Sequence, residues 1–103
     1  FLIDSCYCIP YVTTNCKHVY HLYVLRVQER ENLRVKLLDF GISTSIHYPR
    51  CLHLQPAFKN LGYSQGDFPS AELAAEEVLS LPLYPELSKD QASYVAEALL
   101  DNL

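Results

Sequence analysis

The 103 residues are half hydrophobic and carry a formal net charge of −4, which suits one small domain with a real core. Eight lysines and arginines against twelve acidic residues provide no basic stripe to replace phosphate counterions, and this argues against a nucleic-acid partner. No apolar run approaches the ~20 residues that a membrane-spanning helix needs, and the start, FLIDSCYCIPYV, lacks the basic opening of a secretory signal.

Phe1 to Cys16 is the least patterned part of the chain. Ile9–Thr13 reads as a short extended piece, which Pro10 keeps out of a central strand. The cysteines are Cys6, Cys8, Cys16 and Cys51. They are read as free thiols of a cytoplasmic protein, because nothing else in the chain looks secreted. Cys6 and Cys8, one residue apart in an extended segment, are badly placed to bond each other. Cys6, Cys8, Cys16 and His18 offer four candidate zinc ligands, but they lack the paired spacing of structural zinc sites. Buried cysteines behaving as small hydrophobes account for the same residues, and no metal site is expected.

Asn15 and Lys17 mark a turn before His18–Val27, a β-branched and aromatic run that reads as a strand. Alternation puts His18, Tyr20, Leu22, Val24 and Arg26 on one face, and Val19, His21, Tyr23, Leu25 and Val27 on the other. Neither face is cleanly polar, so the strand is expected to be covered on both sides over much of its length. His18 and His21 then read as partly buried, hydrogen-bonded strand histidines rather than ligands or catalysts. Glu29–Phe40 changes period: Leu33, Leu37 and Phe40 fall at helical spacing, and Gly41 sits where a glycine stops a helix. Lys36 reads as a solvated helix lysine, and Ile42–Ile46 as a short strand leading to His47.

His47–Phe58, HYPRCLHLQPAF, sets histidines, a tyrosine, a glutamine and an arginine between two prolines. The prolines forbid a regular helix or central strand across it, and polar loops of this kind are where binding residues tend to lie. Pro56–Leu61 has room for about two helical turns beginning at a tolerated proline. Gly62–Gly66 is a loop containing Tyr63. Asp67 or Phe68 caps the next helix, with Pro69 at its first position. Ala71, Ala74, Val78 and Leu81 line one side of that helix, while Glu72, Glu76 and Glu77 face water or a partner. Pro82 and Pro85 bracket an extended connector. Ser88 and Gln91 form a capping box for a last helix with Ala92, Val95, Leu99 and Leu103 as its buried stripe. The order of elements predicts one α+β domain over residues 1–103, a small and at least partly antiparallel sheet with helices packed mainly on one face.

HYPRCLHLQPAF and GDFPSAELAAEEVLSLPLYPEL (Gly66–Leu87) together resemble the C-terminal end of the DegT/DnrJ/StrS-type sugar aminotransferases. These are pyridoxal-phosphate enzymes that aminate nucleotide-linked keto-sugars. The resemblance runs from about Lys17 to the end and is weak over residues 1–16. It implies the small domain of a fold-type-I aminotransferase, which closes over the active site and helps to enclose the sugar nucleotide. His47, Tyr48, His53 and Gln55 match the family's motif and are implied as substrate-binding residues. For His53 and Gln55 a loop-fixing hydrogen bond is the open alternative. Cys51 stands where the family usually has proline.

In the resembled family the cofactor lysine, the carboxylate on the pyridinium nitrogen and the phosphate cup belong to a preceding large domain. Lys17, Lys36, Lys59 and Lys89 are the lysines of this chain, and none stands in a matching motif. No catalytic residue and no cofactor of its own are therefore expected. The absence of methionine adds the expectation of a piece of a larger cytoplasmic enzyme, inactive alone. The alternative is a free-standing binding or interaction module built on the same domain. Self-association as a homodimer is expected through Phe1–Val12 and the tyrosines Tyr48, Tyr63 and Tyr84.

Overall fold

The computed structural model describes residues 7–103. Three antiparallel strands form one sheet in the order β1 (Tyr7–Cys8), β2 (Tyr23–Val27), β3 (Val78–Leu81). Around it stand α1 (Arg30–Asp39), α2 (Pro69–Glu77) and α3 (Lys89–Leu100), with two 3₁₀ helices at Leu52–Leu54 and Pro56–Leu61. The architecture is α+β, as the order of elements predicts. No helix of the described residues is long and apolar enough to cross a membrane.

The central pairing sets Leu25 opposite Leu79 and Tyr23 opposite Leu81. Leu25 and Leu79 are fully buried and join Val27, Leu33, Leu37, Ile42, Val95, Ala98 and Leu99 in one core. Residues two apart on a strand share a face, so α1 and α3 cover the Leu25 side of the sheet. The opposite face carries Val24 and Arg26 of β2 with Ser80 and Val78 of β3. There Arg26 stays exposed and reaches Glu77 at 2.6 Å. The two-sided cover expected for this strand is thus incomplete.

Several sequence expectations are revised. Only the last five residues of His18–Val27 are strand. Tyr20 takes φ 48°, left-handed backbone that breaks an extended run, and its N–H donates to His18 Nδ1 at 2.7 Å. His18 and His21 are exposed and lie outside the strand. The Asn15 turn is present, with Cys16 N–H donating to the Thr13 carbonyl, whereas Ile9–Thr13 enters no strand. Ile42–Ile46 contributes a single bridge, Ser45 to Ser80, in place of a strand. The helix read as reaching Leu81 stops at Glu77, and Val78–Leu81 is β3. Lys36 is half-buried and donates to the Asn102 carbonyl at 3.2 Å, tying α1 to the end of α3. Phe40, Ala92 and Leu103 are exposed, and Ala98 takes the place in the α3 stripe. Cys8, Cys16 and Cys51 are free thiols, and the first two are exposed instead of buried. Cys6, with the rest of residues 1–6 of the apolar N-terminal run, lies outside the described residues.

The helix ends behave as their residues dictate. At the end of α1, Gly41 N–H donates to Leu38 and Ile42 N–H to Leu37, the paired closure of a Schellman motif. Gly41 holds φ 73° there, a conformation that costs glycine little. Leu37 and Ile42 both reach the core. Ser88 and Gln91 form the predicted capping box of α3. Arg30 donates to the carbonyls of Ala75 at 2.6 Å and Val78 at 3.3 Å, supplying the C-terminal carbonyls of α2 with a cation.

Leu25→Ala removes a fully buried side chain at the sheet–helix contact and is expected to destabilise the domain by about 2–5 kcal/mol. Urea denaturation checks it: a midpoint unchanged from wild type contradicts this placement of the core.

Candidate functional site

His47–Phe68 crosses the sheet face opposite α1 and α3, and β3 anchors it. Ser45 and Ser80 exchange backbone hydrogen bonds at 3.1 and 2.8 Å. The buried Ser80 hydroxyl shares a hydrogen bond with His47 Nδ1 at 2.8 Å. The His47 ring meets Tyr48 edge-on at 5.4 Å between centroids. Tyr48 itself is 73% exposed. The chain then winds through the two 3₁₀ helices, with Pro56 at the first position of the second, as its fixed φ favours.

The far end of this segment is held by one carboxylate. Glu72, on the first turn of α2, accepts from His53 Nε2 at 2.8 Å through Oε1. It also accepts the Gly66 N–H at 2.9 and 3.0 Å and the Phe68 N–H at 3.4 Å. Gly66 has φ 96°, and that turn presents its N–H to Glu72. Asp67 accepts from the Ser64 N–H at 2.8 Å and tightens the same loop. Phe68 occupies the N-cap position without a side-chain cap. Its ring lies between His53, at 4.8 Å, and Tyr63, at 5.0 Å. The sequence reading has Glu72 facing water or a partner; its side chain is only 16% exposed and turns onto the loop of its own chain. The loop backbone turns donors toward it, and sequence spacing does not record that. Glu77 likewise faces Arg26.

Between these anchors lies an open cavity of about 730 Å³. His47, Tyr48, His53 and Gln55, the four residues singled out from the sequence, all line it. Phe58, Leu61, Phe68, Ala74 and Val78 supply apolar wall. A concave, mostly apolar site with a few convergent polar groups is the usual form of a small-molecule pocket. The Glu72 carboxyl is held below the ordinary glutamate value of 4.5, foremost by the Gly66 N–H, against partial desolvation and with help from His53 and Phe68. No lysine lines the cavity. The residues present therefore do not fit the anchoring of pyridoxal phosphate, which requires a lysine amine. Among the described residues, no group of three or more histidine, cysteine or acidic side chains converges as metal ligands.

An α+β domain with one loop-built apolar groove on the open side of its sheet is the class of protein defined here. Residues 5–100 match the DegT/DnrJ/EryC1/StrS aminotransferase family, and the chain belongs to it. A "pleiotropic regulatory protein" of Geobacillus stearothermophilus is 48% identical over 84 residues, which are 82% of this chain and 23% of that protein. The dTDP-3-amino-3,6-dideoxy-alpha-D-galactopyranose transaminase of Aneurinibacillus thermoaerophilus is 41% identical over 91 residues, 88% of this chain and 24% of that enzyme. Among solved structures, S. venezuelae DesV in complex with a ketimine intermediate superposes with a TM-score of 0.89 at 36% identity, covering 94% of this chain and 26% of DesV. The chain thus spans about a quarter of the length of the relatives it matches.

A carboxyl whose folded pKa lies below its unfolded value adds stability above the unfolded value and loses it as pH falls through the folded one. Wild type and Glu72→Gln are therefore expected to differ in urea midpoint above pH 4.5, with the gap closing as pH falls below it. A gap that persists undiminished in acid contradicts the ionised hub.

Proposed function

We propose that this chain is the C-terminal small domain of a cytoplasmic pyridoxal-phosphate-dependent nucleotide-sugar aminotransferase and forms the substrate-facing wall of its active site. The observation that carries the reading is the convergence of His47, Tyr48, His53 and Gln55 on one groove, in a chain that belongs to this family of aminotransferases. The cofactor supplies the electron sink of transamination when bound; its lysine and phosphate cup are assigned to the larger remainder of such an enzyme. The task left to this domain is to bind, orient and exclude water. His47 is braced by Ser80 and His53 by Glu72, so both rings present fixed polar edges to a sugar nucleotide. The apolar wall around Phe58 and Leu61 shields the reacting centre from solvent.

Two measurements test the reading. Incubated with pyridoxal phosphate and reduced with borohydride, the isolated chain is expected to retain no stoichiometric adduct, because its groove offers no lysine. A single modified lysine in the mass spectrum sinks the assignment. Self-association as a homodimer belongs to the same reading, since Tyr48, Leu52, Leu61 and Tyr63 are exposed along the groove and Tyr84 beyond it, and large contiguous apolar surfaces are uncommon on stable monomers. Light scattering over a concentration series is expected to show the doubled mass. A monomer at high concentration argues against it.

A further inference from the structure

His53 is a nearly buried histidine with one nitrogen accounted for. Its side chain is 8% exposed, and Nε2 meets the Glu72 carboxylate at 2.8 Å. Among the described residues Nδ1 has no hydrogen-bond partner, yet it is not sealed away. Among the described residues, the only buried side-chain nitrogen or oxygen without a partner is Nε of Arg34. The ring lines the groove, and Nδ1 keeps some exposure of its own.

The proton on that ring is fixed by its neighbours. An ionised carboxylate only accepts hydrogen bonds, and a neutral imidazole has one donor and one acceptor nitrogen. Backbone N–H groups from Gly66 and Phe68 also point at Glu72, and they can only donate. Nε2 must then carry a proton, and in the neutral ring this leaves the Nδ1 lone pair open. Carboxylates behind functional histidines set tautomer and orientation in this way.

We propose that Glu72 is a positioning residue that holds His53 as the Nε2–H tautomer, making Nδ1 a hydrogen-bond acceptor that takes a hydroxyl or amine N–H of the ligand in the groove. That the ligand is a sugar nucleotide rests on the proposed function; the tautomer does not. The arrangement discriminates as well as binds. A ligand oxygen without a hydrogen, such as a keto group or a deprotonated phosphate, finds no donor at Nδ1 and leaves two acceptors facing each other.

The test is nitrogen-15 NMR of the imidazole in the full chain near pH 7.5, with the His53 signals assigned by their loss in His53→Gln. Wild type is expected to show Nε2 in the protonated range and Nδ1 in the unprotonated range. In Glu72→Gln the amide oxygen can keep the Gly66 N–H while its NH₂ turns to the ring. The two nitrogens are then expected to exchange character or to average toward a mixture. Wild type with Nδ1 protonated, with both nitrogens protonated, or with an unbiased mixture overturns the proposal, as does a Glu72→Gln spectrum identical to wild type. The wild-type spectrum decides the tautomer even where the variant folds poorly. Retention of a pyridoxal adduct, by contrast, would sink the proposed function and leave this result standing.

Discussion

The antiparallel pairing of β2 with β3 is the constraint on which both halves of the molecule depend. Setting Leu25 opposite Leu79 puts two fully buried leucines against α1 and α3. Side chains alternate along a strand, so the same register turns Ser80 to the other face, where its hydroxyl meets His47. A slip of one residue would expose the leucines and bury arginine in their place. Core and groove are therefore not independent designs. The hydrophobic pattern that fills one face fixes where the loop is anchored on the other.

Glu72 plays the matching part at the far end of the loop. A segment without regular strand or α-helix has many backbone donors to satisfy, and this one turns two of them, with an imidazole, onto a single carboxylate. The carboxylate also sits near the positive end of α2, where negative charge is favoured. Arg30 does the complementary work at the negative end by donating to the last carbonyls of α2. The helix is thus clamped at both ends by side chains of opposite charge, and its small residues Ala74 and Ala75 are left to wall the groove. A bulkier helix face would fill that space.

The groove is open to one side, and exposed Tyr48, Leu52 and Leu61 lie along it. The chain that carries this apolar concavity spans about a quarter of the length of the relatives it matches. Within the chain itself, the polar groups along the groove are braced from behind. Ser80 holds His47 and Glu72 holds His53, so each ring is directed by a residue of a regular element, and loop groups on such scaffolds keep their geometry.

Much of the domain was determined by the sequence alone. The capping box at Ser88 and Gln91, the glycine stop at Gly41 and the prolines at Pro56 and Pro69 are local chemistry, decided within a few residues, and each stands where the sequence puts it. The motifs from His47 to Leu87 likewise identified the family and the four residues that converge on the groove. Only the tertiary structure decided what depends on distant partners. Val78–Leu81 has the apolar spacing of a last helical turn, and becomes a strand because β2 offers it a ladder of hydrogen bonds. Ile42–Ile46 alternates like a strand yet finds one bridge, at Ser45. Glu72 has the letters of a solvated helix face, and becomes the hub that holds the loop because His53 and the Gly66 turn fold back onto it. Helix caps and turns are set by neighbours in sequence, whereas strand pairing and the burial of a charge are set by whichever groups the fold brings within hydrogen-bond reach.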